Sequence, residues 1–280
     1  MMLSLDRVID QALQEDIHTG DITTQAVVSA KRQICGRLIA KEPMVAAGLF
    51  AAEKVFERLD PAIVFTPLVA EGETVAVGAV LATMEGDAAN LLMGERVALN
   101  LLQRLCGIAT LTSSYVAAVS GTKARIVDTR KTTPGLRELE KYAVRVGGGI
   151  NHRTGLYDGV LIKENHIAAA GGITEAIRRA RAYIPHTLKI EIETETPAQV
   201  DEALAAGADI IMLDNMDCPT MAQCVKTIAG RAQVEASGGV NLDTVRAIAE
   251  TGVDIISIGA LTHSPKAMDI SMLLDEQCPK

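Results

Sequence analysis

From Ala124 to Ile258 the chain alternates short apolar runs with amphipathic segments, and this alternation limits the fold more than any other feature. The runs are Arg125–Asp128, Gly159–Ile162, Leu188–Glu193, Asp209–Leu213, Gln233–Ala236 and Asp254–Ile258. Between and after them, Gly172–Tyr183, Pro197–Ala206, Cys218–Ala229 and Leu242–Thr251 carry apolar residues at helical spacing. Apolar strands separated by helices pair in parallel, because each helical crossover brings the chain back in the same direction, and the helices then cover the sheet. Six or seven such units, with no G-x-G-x-x-G after the first strand, predict a closed or nearly closed α/β barrel rather than a dinucleotide-binding sheet. A short helix is predicted at the end, over Asp269–Asp275.

The preceding part has a different rhythm. Leu5, Val8, Ile9, Ala12 and Leu13 predict an amphipathic first helix, and Gln14–Thr24 reads as a polar loop. Strands are predicted at Gln33–Ala40 and Ala62–Val69, a helix at Leu49–Leu59, and short hairpin strands within Glu71–Met84. That hairpin has a superficial likeness to a lipoyl or biotin carrier, but no lysine sits at its tip. A long helix follows at Ala88–Cys106 and continues over Leu111–Ser120. Its apolar face is Leu91, Leu92, Leu99, Leu102 and Leu105, and Arg96, Asn100, Gln103 and Arg104 form one polar stripe. The expected division is a first domain over 1–110 and a barrel domain over 111–268, with a C-terminal helix over 269–280 able to pack back on the first.

Composition excludes several partners. The formal net charge is −8, tryptophan is absent, and only three Phe and four Tyr occur. An acidic chain without stacking platforms does not suit nucleic acid or an anionic membrane surface. No apolar run approaches membrane-spanning length. The five cysteines are odd in number and widely spaced, with no C-x-x-C, and read as reduced thiols in the cytoplasm.

Against this acidic background, Asp128–His166 is densely cationic. Arg130 and Lys131 follow the apolar pair Ile126-Val127, His152 and Arg153 follow Gly147-Gly148-Gly149, and Lys163 ends the run Gly159–Ile162. Cations gathered at strand ends, with glycines that let the backbone approach a ligand, suit a multiply anionic small molecule. Arg137, Lys141 and Arg145 are four apart and read instead as a solvated helix stripe. Strand periodicity puts Lys189, Glu191 and Glu193 on one face, pointing into the barrel, with Ile190 and Ile192 toward the helices. Glu193 and Asp214, nearest the rim, suit a Mg²⁺ shell or a ribose contact, with a structural ion-pair network the lesser reading for Lys189 and Glu191. Ser237-Gly238-Gly239 and Gly259, after the last strands, offer backbone N–H groups for a phosphate.

At these residues the sequence resembles the quinolinate phosphoribosyltransferases, also named nicotinate-nucleotide pyrophosphorylases [carboxylating]. The resemblance runs nearly end to end. It rests on Glu95-Arg96-Val97-Ala98-Leu99-Asn100, Asp128-Thr129-Arg130-Lys131-Thr132, Asn151-His152-Arg153, Leu161-Ile162-Lys163, Leu213-Asp214-Asn215, Glu235-Ala236-Ser237-Gly238-Gly239 and Gly259-Ala260-Leu261-Thr262-His263. One departure is Cys106, where the family usually has a small hydroxyl residue. The resemblance implies an N-terminal α/β sandwich followed by an open seven-stranded α/β barrel. It implies transfer of phosphoribosyl from 5-phosphoribosyl 1-pyrophosphate to quinolinate, with decarboxylation and Mg²⁺. It also implies a homodimer with shared sites, in which Arg96 reaches the partner's site; further assembly is left open. Arg130, Lys131, His152, Arg153 and Lys163 would hold the carboxylates and the phosphoribosyl group. Glu193 and Asp214 would serve the ribose and Mg²⁺, and Ser237, Gly238, Gly239, Gly259 and His263 the phosphate. Lys131, Lys163, Glu193 and Asp214 are the candidates for catalysis. The alternatives are a paralogue acting on another acid, a non-catalytic relative, and a lyase using Lys163 as a Schiff base.

Overall fold

The structure, a computed structural model, describes residues 5–28 and 31–275. In chain order the elements are α1 (Leu5–Ile17), α2 (Ile22–Val27), β1 (Gln33–Ala40), β2 (Met44–Val45), α3 (Leu49–Leu59), β3 (Val64–Pro67), β4 (Thr74–Val75), β5 (Val80–Asp87) and α4 (Ala88–Ala118). There follow β6 (Arg125–Val127), α5 (Arg137–Val146), β7 (Val160–Ile162), α6 (Glu164–Ala170), α7 (Ile173–Tyr183), β8 (Ile190–Thr194), α8 (Pro197–Ala205) and β9 (Ile210–Asp214). The last are α9 (Cys218–Ile228), β10 (Gln233–Ser237), α10 (Val245–Glu250), β11 (Ile255–Ser257), α11 (Ala260–His263) and β12 (Ile270–Asp275). Two compact units result. One comprises Met1–Ser113, Thr132–Gly148 and Thr262–Lys280, the other Ser114–Lys131 and Gly149–Leu261.

The first unit is built on a four-stranded sheet in the order β12-β1-β5-β3, antiparallel throughout. Long α4 supplies its core: Leu91, Leu99, Leu102 and Leu105 are buried, as the helical spacing predicted. Glu71 caps α3, its carboxylate accepting the Gly48 and Leu49 N–H groups at 2.8 and 2.7 Å. Four expectations need correction. Residues 270–275 are a strand, not a helix, and the rest of the expected 269–280 helix lies outside the described residues. Ile270 and Met272 are buried while Leu273 is exposed, and this alternation lets the segment complete the open edge of β1. The expected hairpin is absent because β4 pairs with β2 and β5 with β1 and β3. The expected loop Gln14–Thr24 contains the start of α2, for which Asp21 is the N-cap, accepting the Thr24 N–H at 3.0 Å. Finally, Cys106, Cys218 and Cys224 are free but Cys35 is disulfide-bonded.

The second unit is a parallel six-stranded sheet in the order β6-β11-β10-β9-β8-β7. A seventh position is reduced to one parallel bridge between Val127 and Ile150, with the Ile150 N–H bonded to the Ile126 carbonyl at 2.9 Å. Taken in chain order, the strands therefore run round in sequence, and the opening falls between Ile150 and β7. This is the open, seven-stranded α/β arrangement expected. Ile190 and Ile192 are fully buried, as expected for residues directed at the helices. Helix starts are well specified. Thr196 and Gln199 form a capping box before Pro197, and Asp217 caps α9 by accepting the Thr220 N–H at 2.8 Å. Among the described residues, no helix is long and apolar enough to cross a membrane.

Candidate active site

In a parallel barrel the carboxyl ends of the strands share one rim. Arg130 and Lys131 leave β6 there, Lys163 leaves β7, Glu193 lies near the end of β8, Asp214 ends β9 and Ser237 ends β10. Lys163 is an exposed cation paired with the largely buried Glu193 carboxylate across neighbouring strands. Its backbone N–H donates to His166 Nδ1 at 3.0 Å, so the first turn of α6 fixes where the lysine emerges. Asp214 Oδ2 accepts from Asn215 Nδ2 at 2.7 Å. Asn215 holds a left-handed backbone (φ 53°), and its N–H donates to the Ser237 carbonyl at 2.9 Å. A Cβ at Gly238, itself at φ 93°, would collide with the Asn215 side-chain oxygen. That glycine is thus required for β9 and β10 to meet at the rim, whatever it binds.

Arg153 sits beside Arg130. Burial first, and the Arg130 charge second, push the Arg153 pKa down. Its Nη1 donates to the Gly159 carbonyl at 3.0 Å, and its Nε is buried without a partner. The loop beyond it is held by Asp158, whose carboxylate accepts the Thr154 and Gly155 N–H groups at 2.7 and 2.8 Å. Two neighbouring guanidinium groups suit a bound anion.

Beneath the rim the charges reverse. Asp128 is fully buried and accepts from the His152 N–H at 2.9 Å and from Asn151 Nδ2 at 2.6 Å. His152 Nε2 lies 2.8 Å from Glu191 Oε2 and 3.9 Å from Glu235 Oε2. Both glutamates are buried, and each has an Oε1 without a hydrogen-bond partner. Burial, then the Glu191 charge, raises the Glu235 pKa from 4.5 to about 8. His152, Glu191 and Glu235 line an open pocket of about 570 Å³ together with Arg153 and Lys189. The three side chains also lie close enough together to hold a cation.

The remaining expected residues have these surroundings. Arg96 and His263 belong to the first unit and are exposed, His263 with its Nδ1 2.6 Å from Ser264 Oγ. The polar stripe of α4 divides: Arg96 and Asn100 are exposed, but Gln103 Nε2 donates to the Ile270 carbonyl at 2.8 Å. Arg104 bonds Glu140 Oε1 at 2.7 Å, Thr133 Oγ1 at 2.7 Å and the Thr262 carbonyl at 2.9 Å, all within the first unit. The solvated stripe on α5 fails at Lys141, which is only 2% exposed, because the apolar face of a short helix with Leu139, Ala143 and Val144 buried extends round to it. Gly147 is not free to approach a ligand, since a Cβ there would strike the Ala109 carbonyl on α4. Lys189 precedes β8, is exposed and donates to Gln233 Oε1 at 2.9 Å, so it makes no pair with Glu191. Glu235, the glutamate whose titration is most altered, stands out in the sequence only as part of Glu235-Ala236-Ser237-Gly238-Gly239. Its strand alternation, with Val234 and Ala236 also buried, was the available signal that it points inward.

Comparison with known proteins agrees with this architecture. The family model described as "Quinolinate phosphoribosyl transferase, N-terminal domain" matches residues 21–106, and "Quinolinate phosphoribosyl transferase, C-terminal domain" matches 108–273. The chain is 47% identical to a probable nicotinate-nucleotide pyrophosphorylase [carboxylating] of Bacillus subtilis, covering 96% of this chain and 93% of that protein. It is 50% identical to a protein of the same description in Synechocystis, covering 96% of this chain and 92% of the other. A crystal structure of NadC from Streptococcus pyogenes superposes with a TM-score of 0.94 at 43% identity, over 98% of each chain. With both halves matched in order and the rim cations in place, this chain belongs to the quinolinate phosphoribosyltransferase family.

Proposed function

We propose that the protein transfers the phosphoribosyl group of 5-phosphoribosyl 1-pyrophosphate to quinolinate and releases pyrophosphate and CO₂, forming nicotinate mononucleotide in NAD biosynthesis. The observation that carries this is the Arg130–Arg153 pair, two neighbouring cations next in sequence to Lys131, in a chain of net charge −8. A dicarboxylate can engage both guanidinium groups at once, whereas a monocarboxylate engages one. His152, Arg153, Arg130 and Lys131 then bind and orient the pyridine. Ser237, Gly238, Gly239 and Gly259 are assigned to the phosphate.

The pyridine nitrogen attacks ribose C1 as the bond to pyrophosphate breaks. Glu193 and Asp214, on neighbouring strands, are assigned to offset the positive charge that develops on the sugar. Loss of CO₂ from ring C2 leaves an electron pair beside the new pyridinium nitrogen, and a solvent proton replaces the carboxylate. The substrate is its own electron sink, so the protein's part is orientation. Glu193 and Asp214 also fit Mg²⁺: they are oxygen donors at adjacent strand ends, one braced by Lys163 and the other by Asn215. When bound, the ion offsets the charge of the leaving pyrophosphate. A cytoplasmic location suits substrates too charged to cross a membrane. Exposed Arg96 on α4 supports a homodimer in which each subunit lends this arginine to the other's site.

A Schiff-base role for Lys163 needs an apolar pocket, and its pairing with Glu193 does not supply one. The decisive experiment measures kcat/KM with quinolinate and with nicotinate. Quinolinate is favoured by about 30-fold or more if one charge contact is lost with the second acid. Equal values would assign the site to a different acid.

A further inference from the structure

Arg153 holds its place with little help from charge. Burial and the neighbouring Arg130 act against its positive charge, and they outweigh the Glu191 and Asp158 charges that favour it. Its Nη1 rests on a carbonyl, that of Gly159, and its Nε is buried without a partner. A guanidinium held this way keeps one orientation only while the Gly159 carbonyl keeps one position. That carbonyl ends the loop which Arg153 begins, and one side chain, Asp158, closes the loop. Asp158 Oδ2 accepts the Thr154 N–H at 2.7 Å, and Oδ1 accepts the Gly155 N–H at 2.8 Å. The two donors directly follow Arg153, and Asp158 directly precedes Gly159. A single carboxylate therefore ties the two ends of the turn together. Burial alone would raise its pKa, but the Gly155 and Thr154 N–H groups outweigh that and hold the carboxyl below its ordinary value. The turn is shaped to match. Gly155 is buried, and a Cβ there would strike the Tyr157 ring, while the Arg153 stem lies over Gly159.

On the other side of Arg153, buried Asp128 accepts the His152 N–H at 2.9 Å. Two carboxylates thus bracket Arg153, one fixing the residue before it and the other the two residues after it. Asp158 is the exposed member of the pair. Its charge reaches Arg153 and so weakens the pull of that cation on an anion, which makes it a poor choice for recognition by charge alone. The N–H groups it holds account for it. We propose that Asp158 is a positioning residue for the acid substrate: by closing the turn over 154–158 it sets the Gly159 carbonyl, and that carbonyl aims the Arg153 guanidinium. The inference rests on the rim being the quinolinate site. Two consequences separate it from a merely structural role. Asp158 acts on the acid and not on the phosphoribosyl donor, and its effect disappears once Arg153 is gone.

Both consequences can be measured on the whole protein. In Asp158→Ala the quinolinate KM should rise about tenfold, while kcat stays within about threefold and the KM for 5-phosphoribosyl 1-pyrophosphate within about twofold. In Asp158→Asn one oxygen still accepts, and the quinolinate KM should rise about threefold. Added to Arg153→Ala, Asp158→Ala should change kcat/KM by less than about twofold, where independent effects would multiply. Equal rises in the two KM values, a multiplied loss in the double variant, or an unchanged quinolinate KM would each overturn the proposal. Amide hydrogen exchange at Thr154 and Gly155 tests the turn without any turnover. It should be about tenfold slower in wild type than in Asp158→Ala, with Asp158→Asn between them, and equal rates would overturn the closure on which the proposal depends. Should Asp158→Ala fail to fold, Asp158→Asn carries the same KM comparison and the same exchange measurement. Should wild type not turn over quinolinate, the functional reading falls and takes the named substrate with it, and the exchange rates still judge whether Asp158 holds the turn.

Discussion

The rim and the interior of the barrel unit handle charge in opposite ways. At the rim, Lys131 and Lys163 are exposed, and Arg130 and Arg153 are crowded together. Water and ligand can reach them, so their charge is available for recognition. Below, Asp128, Glu191 and Glu235 are buried, and each is turned toward His152 or its backbone. There the charge is enclosed, and it acts by fixing geometry. The difference teaches that a cationic pocket is built from two layers. The upper layer binds, and the lower, of opposite sign, keeps mutually repelling cations aimed at one point.

The sharpest break between the layers should come from removing a rim cation. Arg153→Ala and Lys131→Ala should each lower kcat/KM for quinolinate by about two orders of magnitude, as expected when a buried charge contact to the ligand is lost. Their stabilities should differ. Lys131 is exposed, so its loss should change unfolding free energy by less than about 0.5 kcal/mol. Arg153 also bonds the Gly159 carbonyl, and its loss should cost about 1 kcal/mol. Near-wild-type kinetics in either variant, measured beside denaturant melts, would remove that residue from the site.

An interior substitution should reverse the emphasis. Asp128→Ala leaves the buried His152 N–H and the Asn151 amide without their acceptor and should destabilise the fold by about 2–4 kcal/mol. A chemical melt that shifts by less than about 1 kcal/mol would show that the segment after Ile150 is held by something else.

The layers were also unequally legible. Arg130, Lys131 and Lys163 could be assigned to a rim because apolar runs end just before them, and a parallel barrel puts all such ends together. The second unit's strands and helices were legible for the same reason, since buried parallel strands are nearly continuous apolar runs. Glu235 was not, because whether a strand-end acid faces solvent or its neighbours depends on the three strands beside it. Lys141 defeated a pattern rule in the same way: spacing describes one helix, and burial is decided by what packs on it. β12 shows the limit most plainly. Ile270–Asp275 fits either a short helix or a strand, and only the free edge of β1, more than 200 residues earlier, selects the strand.

Glu235 gives the interior a pH signature that the rim lacks. Its pKa is raised on folding, from 4.5 to about 8. Below the lower value the group is neutral in both states and costs nothing. Between the two values the unfolded chain releases the proton while the native protein keeps it, so stability falls as pH rises and levels off above about 8 with respect to this group. Glu235→Gln removes that slope. Its unfolding free energy minus that of wild type should therefore increase from pH 5 to pH 8, so that the variant gains stability relative to wild type, read from denaturant melts at both. A difference that does not depend on pH would mean that Glu235 is ionised in the native protein.

The smallest expected effect concerns the far end of β8, where the comparison can be made along a single strand. Glu193 lies near the carboxyl end and is paired with Lys163, whereas Lys189 precedes the strand and reaches Gln233 Oε1 at 2.9 Å. Sequence periodicity put these charges on one face, yet they belong to opposite ends of the barrel. Lys189 is exposed, and its amine keeps most of its hydration, so one hydrogen bond to a surface amide adds little. Lys189→Ala should change unfolding free energy by less than about 0.5 kcal/mol and leave kcat/KM within about twofold. The kinetic arm carries the greater information. Lys189 borders the pocket of Glu191 and Glu235 from below, the side away from the rim. If its loss lowered kcat/KM tenfold, charge would be felt across the whole depth of the barrel, and the enclosed acids could not be separating the two ends. An unchanged rate, together with a large loss in Arg153→Ala, would confine recognition to the rim and leave the interior to hold it in place.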